Sequence, residues 1–162
     1  MEHGFAGHAS KLYSEVVKAP LVFRGPGVAP GVDQRAAQLV DVAPSILGLL
    51  VLPCHPAFQG LDLFAPVFPE VRSRYSVAHT APATQSAIER RGLKRIDDEE
   101  LGPDVLFDLR ADAAETLDLS VTNPSAAADL AWRLNVWQQV QLEYYANPDS
   151  MKTEYPPLVV DR

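Results

Sequence analysis

Two histidines stand near the start of the chain, in the run Met1-Glu2-His3-Gly4-Phe5-Ala6-Gly7-His8-Ala9-Ser10-Lys11. Imidazole changes charge close to neutrality, so a histidine in a glycine-containing loop can pass a proton or hold an anion. A solvent-facing loop histidine is the plainer account of His8, and a capping or loop role the plainer account of His3. Cys54-His55-Pro56-Ala57-Phe58 is a second place where chemistry is conceivable, because a thiolate is a nucleophile. A proline-bounded surface loop holding a small apolar side chain explains it as well. Two adjacent residues cannot supply a four-ligand zinc sphere. Arg24, beside Gly25-Pro26-Gly27, reads as a strand end facing water, and His55 and His79 have no partner pattern. Asp97 to Glu100 lack the spaced oxygen ligands of a calcium loop and read as a solvated hairpin loop. Trp132, Trp137, Tyr144 and Tyr145 suggest a carbohydrate platform, but the spacing of Trp137 and Tyr144 is that of a helix core face.

These side chains must be positioned by elements that the pattern outlines. Leu12 to Lys18 suits one helical turn, stopped ahead of Pro20 because the residue before a proline avoids the α region. Leu21-Val22-Phe23 reads as a short buried strand, closed by Gly25-Pro26-Gly27. Asp41 is placed to cap a helix from about Val42 to Leu50, with Pro44 harmless in its first turn and an apolar face of Ile46, Leu47 and Leu50. Arg74 to His79, Ala87 to Ile96 and Val105 to Leu109 read as strands of an antiparallel sheet with one wet face. Asn123-Pro124 starts a helix whose stripe is Leu130, Leu134, Trp137, Val140 and Tyr144, ending near Pro148. The tail from 148 to 162 is read as extended.

At 162 residues, with 47% hydrophobic and 22% charged residues, the chain is long enough for a real core and has a globular composition. Net charge is −7 and the basic residues are scattered, which argues against a nucleic-acid footprint. No apolar run approaches the roughly 20 residues of a membrane span. One cysteine allows no intramolecular disulfide. The 14 prolines cluster in segments that should be connectors lying on a larger scaffold.

Five segments, in order, resemble the latter part of bacterial sulfatases of the alkaline-phosphatase superfamily. Glu2 to His8, Leu12-Tyr13 and Pro20 to Gly27 are similar to a family stretch reading roughly GEHG-x-x-GHG-x-x-LYEE-x-x-RVPLIIRGPG. Gln38 to Leu47 resembles the VxxVDLxPTIL helix, and Phe58 to Leu63 the xxGxSLxP turn. Leu106-Phe107-Asp108-Leu109 and Glu115-Thr116-Leu117-Asp118-Leu119 resemble the LYDLxxDPxExxNL element that precedes the last helix.

The resemblance implies an α/β chain: the C-terminal portion of an alkaline-phosphatase-like α/β/α fold, with a small antiparallel sheet packed by a C-terminal helix. It divides the chain into 1–70 as the incomplete end of the catalytic α/β domain, 71–147 as the sheet and helix, and 148–162 as the tail. It implies hydrolysis of sulfate esters in the intact enzyme, on a small molecule or glycan, using a formylglycine made from a Cys/Ser-x-Pro-x-Arg motif and calcium or another divalent cation. Cys54-His55-Pro56 begins like that motif, but Phe58 stands where its arginine belongs, and it lies after the VDVAPSIL helix rather than far upstream. Met1 stands where the metal-binding Asp-His-Gly or Asp-Asn-Gly usually precedes this region. No catalytic or metal-ligating residue is therefore assigned, and no cofactor is expected in this piece. His8 alone is carried over, as a sulfate-contacting residue. The expectation is a sulfatase fragment, inactive alone, that self-associates or docks to a missing N-terminal portion. Open beside it stand a phosphoester hydrolase or phosphoethanolamine transferase of the same superfamily, and a non-catalytic partner domain or gene remnant.

Overall fold

A computed structural model describes residues 3, 11–80, 83–99, 102–147 and 149. The tail expected to be extended thus lies, save for Asp149, outside the described residues. The chain separates into two compact units, one of Met1–Pro20 with Ser73–Trp137, the other of Leu21–Arg72 with Gln138–Arg162.

The first unit is built on four strands in sequence order, β1 (Arg74–Thr80), β2 (Ala83–Arg90), β3 (Leu93–Asp98) and β4 (Val105–Asp108), each antiparallel to the next. The segment Ala87 to Ile96, which reads as one strand, is two. Arg91 and Gly92 have φ of 53° and 82° and form a two-residue turn between Arg90 and Leu93. Two successive positive-φ residues match the twist of a tight hairpin, but arginine at the first of them carries none of the usual Asn-Gly signal.

The sheet is covered on both faces rather than wet on one. Ile88 and Leu106 face α3 (Pro124–Ala146) and meet Ala127, Leu130 and Leu134. Tyr75 stacks on Trp137 at 4.8 Å between centroids, which makes Trp137 a packing residue. On the other face Ala87, Ile96 and Phe107 pack against Leu12, just ahead of α1 (Ser14–Val17). Asn123 opens α3 as expected, its Oδ1 accepting from the Ala126 amide at 3.4 Å. The outer edge of β4 is satisfied by the segment ahead of α3: Leu119 N donates to the Leu106 carbonyl at 2.7 Å, and Leu106 N donates to Asp118 Oδ1 at 2.9 Å.

In the second unit, Leu21-Val22-Phe23 forms no strand, and Val22 is 83% exposed. A strand needs a hydrogen-bonded neighbour, and the described residues of this unit hold a 3-10 turn, Leu39–Asp41, a helix, α2 (Val42–Leu49), and the end of α3, but no strand. Asp41 does not cap α2 through its side chain. It is fully buried and accepts instead from Gln38 N and Leu61 N, both at 2.8 Å, and from both Arg72 guanidinium nitrogens at 2.6 and 2.8 Å. The α2 residues that bury are Pro44 and Ser45, whereas Ile46 and Leu50 are exposed. Ser45 Oγ donates to the Asp41 carbonyl at 2.6 Å and accepts from Leu63 N at 2.9 Å. Gly60 is required by close approach: a Cβ there would run into the Val40 carbonyl.

Leu134 is fully buried in the face between sheet and helix. Leu134→Ala is expected to lower unfolding stability by about 2–5 kcal/mol, the range for a buried leucine that leaves a cavity. Urea titration followed by circular dichroism measures it.

Candidate functional site

One group of titratable side chains in the first unit lies on the sheet face covered by the N-terminal segment. Lys94 on β3 is 3% exposed, and its Nζ lies 2.6 Å from Glu115 Oε1. The contact is a charge pairing rather than an aligned hydrogen bond. Burial pushes the Lys94 ammonium down, against the opposing effect of Glu115. Glu115 follows β4, is 2% exposed, and has a φ of 55°, unusual for a residue other than glycine. Its Oε2 accepts from Ser14 N, the first residue of α1, at 2.6 Å. The Glu115 carboxylate therefore neutralises a buried cation and fixes the start of a helix together.

His3 is the outermost member of the group. Its Nδ1 lies 2.7 Å from Glu15 Oε1 and its Nε2 3.0 Å from the Glu115 carbonyl oxygen, while the ring stacks on Tyr13 at 3.7 Å. Burial alone lowers the His3 pKa, but the bonds to Glu15 and to the Glu115 carbonyl, with the charge of both carboxylates, outweigh it and leave it raised. Burial and the surrounding carboxylates push the Tyr13 phenol up. Beside this group, Gln85 links the sheet to the segment at Lys11-Leu12. Its Oε1 accepts from Leu12 N at 3.0 Å and its Nε2 donates to Asp98 Oδ2 at 2.7 Å, which Lys11 Nζ also approaches at 3.3 Å. Asp97 and Asp98 thus belong to β3 and its side-chain bonds, not to the solvated loop expected from the acidic run.

The remaining candidates are dispersed. His8 lies outside the described residues. Cys54 is an exposed free thiol whose Sγ has the His55 carbonyl at 3.8 Å. His79 pairs with Thr84 across the first hairpin at 2.7 Å. Trp132 and Tyr145 are exposed, whereas Tyr144 is half-buried and in edge contact with Tyr145. Arg24 lines an open groove of about 810 Å³ in the second unit, together with Phe23, Val28, Val32, Arg35 and Phe64. Arg35 there is bonded to Asp33. Among the described residues no three His, Cys, Asp or Glu side chains are grouped to hold a metal ion, so these residues do not fit the divalent cation that the sequence resemblance implies for an intact enzyme. No described helix is long and apolar enough to cross a membrane.

No protein-family profile matches the sequence, and no curated protein matches it. Solved structures do. A protein from Bacteroides thetaiotaomicron VPI-5482 described as a sulfatase superposes with a TM-score of 0.63 over 91% of this chain and 34% of its own, at 16% identity. The fold is sulfatase-like. BT4656, solved in complex with its substrate D-glucosamine-2-N,6-O-disulfate, matches with a TM-score of 0.51 over 67% of this chain and 24% of its own, at 18% identity. The sulfatase-like chain therefore spans about a quarter to a third of the length of the structures it matches.

The Lys94–Glu115 pair was not legible in the sequence: Glu115 stands in the segment that resembles the LYDLxxDPxExxNL element, but nothing in that pattern points to a lysine 21 positions earlier. Removing one partner strands the other charge inside the protein, which costs about 3–5 kcal/mol for a buried pair. Lys94→Met and Glu115→Gln are each expected to destabilise the sulfatase-like chain by about that amount. The double variant should recover much of the loss, and a double-mutant cycle in urea measures the coupling.

Proposed function

We propose that this chain is part of a sulfuric-ester hydrolase and has no turnover on its own. The observation that supports this best is the match over 91% of the chain to a protein described as a sulfatase, of which the match takes up only 34%. The sequence contains no Cys/Ser-x-Pro-x-Arg run, and Cys54-His55-Pro56-Ala57-Phe58 departs from it at Phe58. On this reading the formylglycine and the calcium or other divalent cation belong to a part of the enzyme outside these residues. His8 is the residue of this chain that contacts the sulfate group: an imidazolium or ring N–H there would offset charge building on the ester oxygens. A sulfated sugar is the substrate class, in line with the ligand of BT4656.

The exposed apolar residues of the second unit favour a docking role within this proposal. Val22, Val32, Leu39, Val51 and Val67 are each more than 80% exposed. On this reading they form an interaction site, and the occupant we assign is the remainder of a sulfatase-type α/β domain. Without it, the isolated chain should self-associate.

The purified chain is expected to release no 4-nitrophenol from 4-nitrophenyl sulfate above the blank, with or without added calcium. Turnover that tracks the pure protein would overturn the assignment of the catalytic groups to another segment. Multi-angle light scattering should give a mass above that of one chain; a monodisperse monomer would count against the docking role. An in-frame Cys/Ser-x-Pro-x-Arg in the reading frame upstream of Met1 would favour the sulfatase reading over a phosphoester hydrolase.

A further inference from the structure

The two partners of the His3 ring have the same chemical character. A main-chain carbonyl only accepts a hydrogen bond, and an ionised carboxylate only accepts. The Glu115 carbonyl at 3.0 Å therefore needs a proton on Nε2, and the Glu15 carboxylate at 2.7 Å needs one on Nδ1. A neutral imidazole carries only one of them, so both bonds exist together only for the imidazolium. Glu15 is held ionised: burial raises its carboxyl, but the bond and charge of His3, its own backbone amide and the Lys94 charge outweigh that and lower it.

We infer that His3 is a proton-operated clamp, whose charged ring ties α1 to the turn at Glu115 and gives up one of the two contacts when it loses a proton. The groups facing the ring come from each element around it. Tyr13 stacks on one face, Glu15 comes from α1, and the Glu115 carbonyl and carboxylate come from the segment after β4. Lys94 from β3 stands behind Glu115, and its charge bears on Glu15. When the proton leaves, one ring hydrogen remains for two acceptors, so one of them is left facing a bare nitrogen lone pair. Two acceptors repel, and that contact opens. The bonds of Ser14 N to Glu115 and of Leu12 N to Gln85 involve no titrating proton. Deprotonation therefore leaves those two bonds in place.

The sign follows from linkage. The folded His3 pKa lies above its ordinary value of about 6.5. The clamp's contribution to stability is therefore complete below that value and disappears as pH rises through the folded midpoint.

Histidine-selective 15N spectroscopy of the full chain, titrated from acid to alkaline pH, tests the clamp. His3 is expected to show both ring nitrogens at imidazolium shifts on the acid side of a midpoint above 6.5, and a neutral ring beyond it. Glu15→Gln should lower the midpoint, because the amide removes the charge facing Nδ1. His3→Gln should abolish the loss of melting temperature that the parent chain shows as pH rises through that midpoint. Dispersed amide signals for Ile88 and Leu106 verify that each variant retains the sheet. A midpoint at or below 6.5, or a midpoint that Glu15→Gln leaves in place, would overturn the clamp. None of these readouts uses sulfate or turnover, so they stand or fall apart from the proposed activity.

Discussion

The first unit depends on one interaction, the placement of the Glu115 carboxylate beneath the N-terminal segment. A lysine on the inward face of a central strand is costly, because its ammonium loses water without gaining apolar contact. Lys94 is held there by the charge of Glu115, and the same carboxylate takes the first amide of α1. The backbone of Glu115 adopts a left-handed conformation to present both its side chain and its carbonyl inward. His3, the residues Tyr13-Ser14-Glu15, Lys94 and Glu115 meet around this group, and Leu12 beside them packs on Ala87, Ile96 and Phe107.

The second unit uses the same device with different residues. Asp41 is fully enclosed, and its two oxygens bind two backbone amides and the fork of Arg72. The planar fork suits a carboxylate better than a lysine would. In each unit a buried acid therefore gathers loops that carry little regular structure of their own. That arrangement accounts for a chain rich in proline keeping defined connections between short elements.

What the residues disclosed in advance is uneven, for physical reasons. Helix α3 was fully readable, because Asn123-Pro124 and the stripe from Leu130 to Trp137 are local signals of capping and burial. Helix α2 was placed correctly, but its buried side was not: Ser45 turns inward to join Asp41 and Leu63, so polar bonding overrode the apolar pattern of Ile46 and Leu50. The Arg91-Gly92 turn was missed because arginine seldom takes a positive φ. Leu21-Val22-Phe23 has strand composition, but composition cannot supply a neighbouring strand. Of the site residues, His3 was noticed for its type, while its bond to Glu115 joins residues 112 positions apart and has no sequence signature. The sulfatase-like fold was foreshadowed by short ordered segments rather than by any single motif.

The order of the strands in the sheet has a kinetic consequence. Each strand pairs with the one next to it in the chain, and the β2–β3 connection is only two residues long, so the meander is assembled from local contacts. Docking of the N-terminal segment instead closes a loop of about a hundred residues between Ser14 and Glu115. Each doubling of a flexible loop adds about 0.6 kcal/mol of closure entropy, and contacts distant along the chain slow folding. The meander can therefore form while one of its faces is still open, and Lys94 spends that interval hydrated. Its burial waits for the arrival of the residues that complete the lid over Glu115.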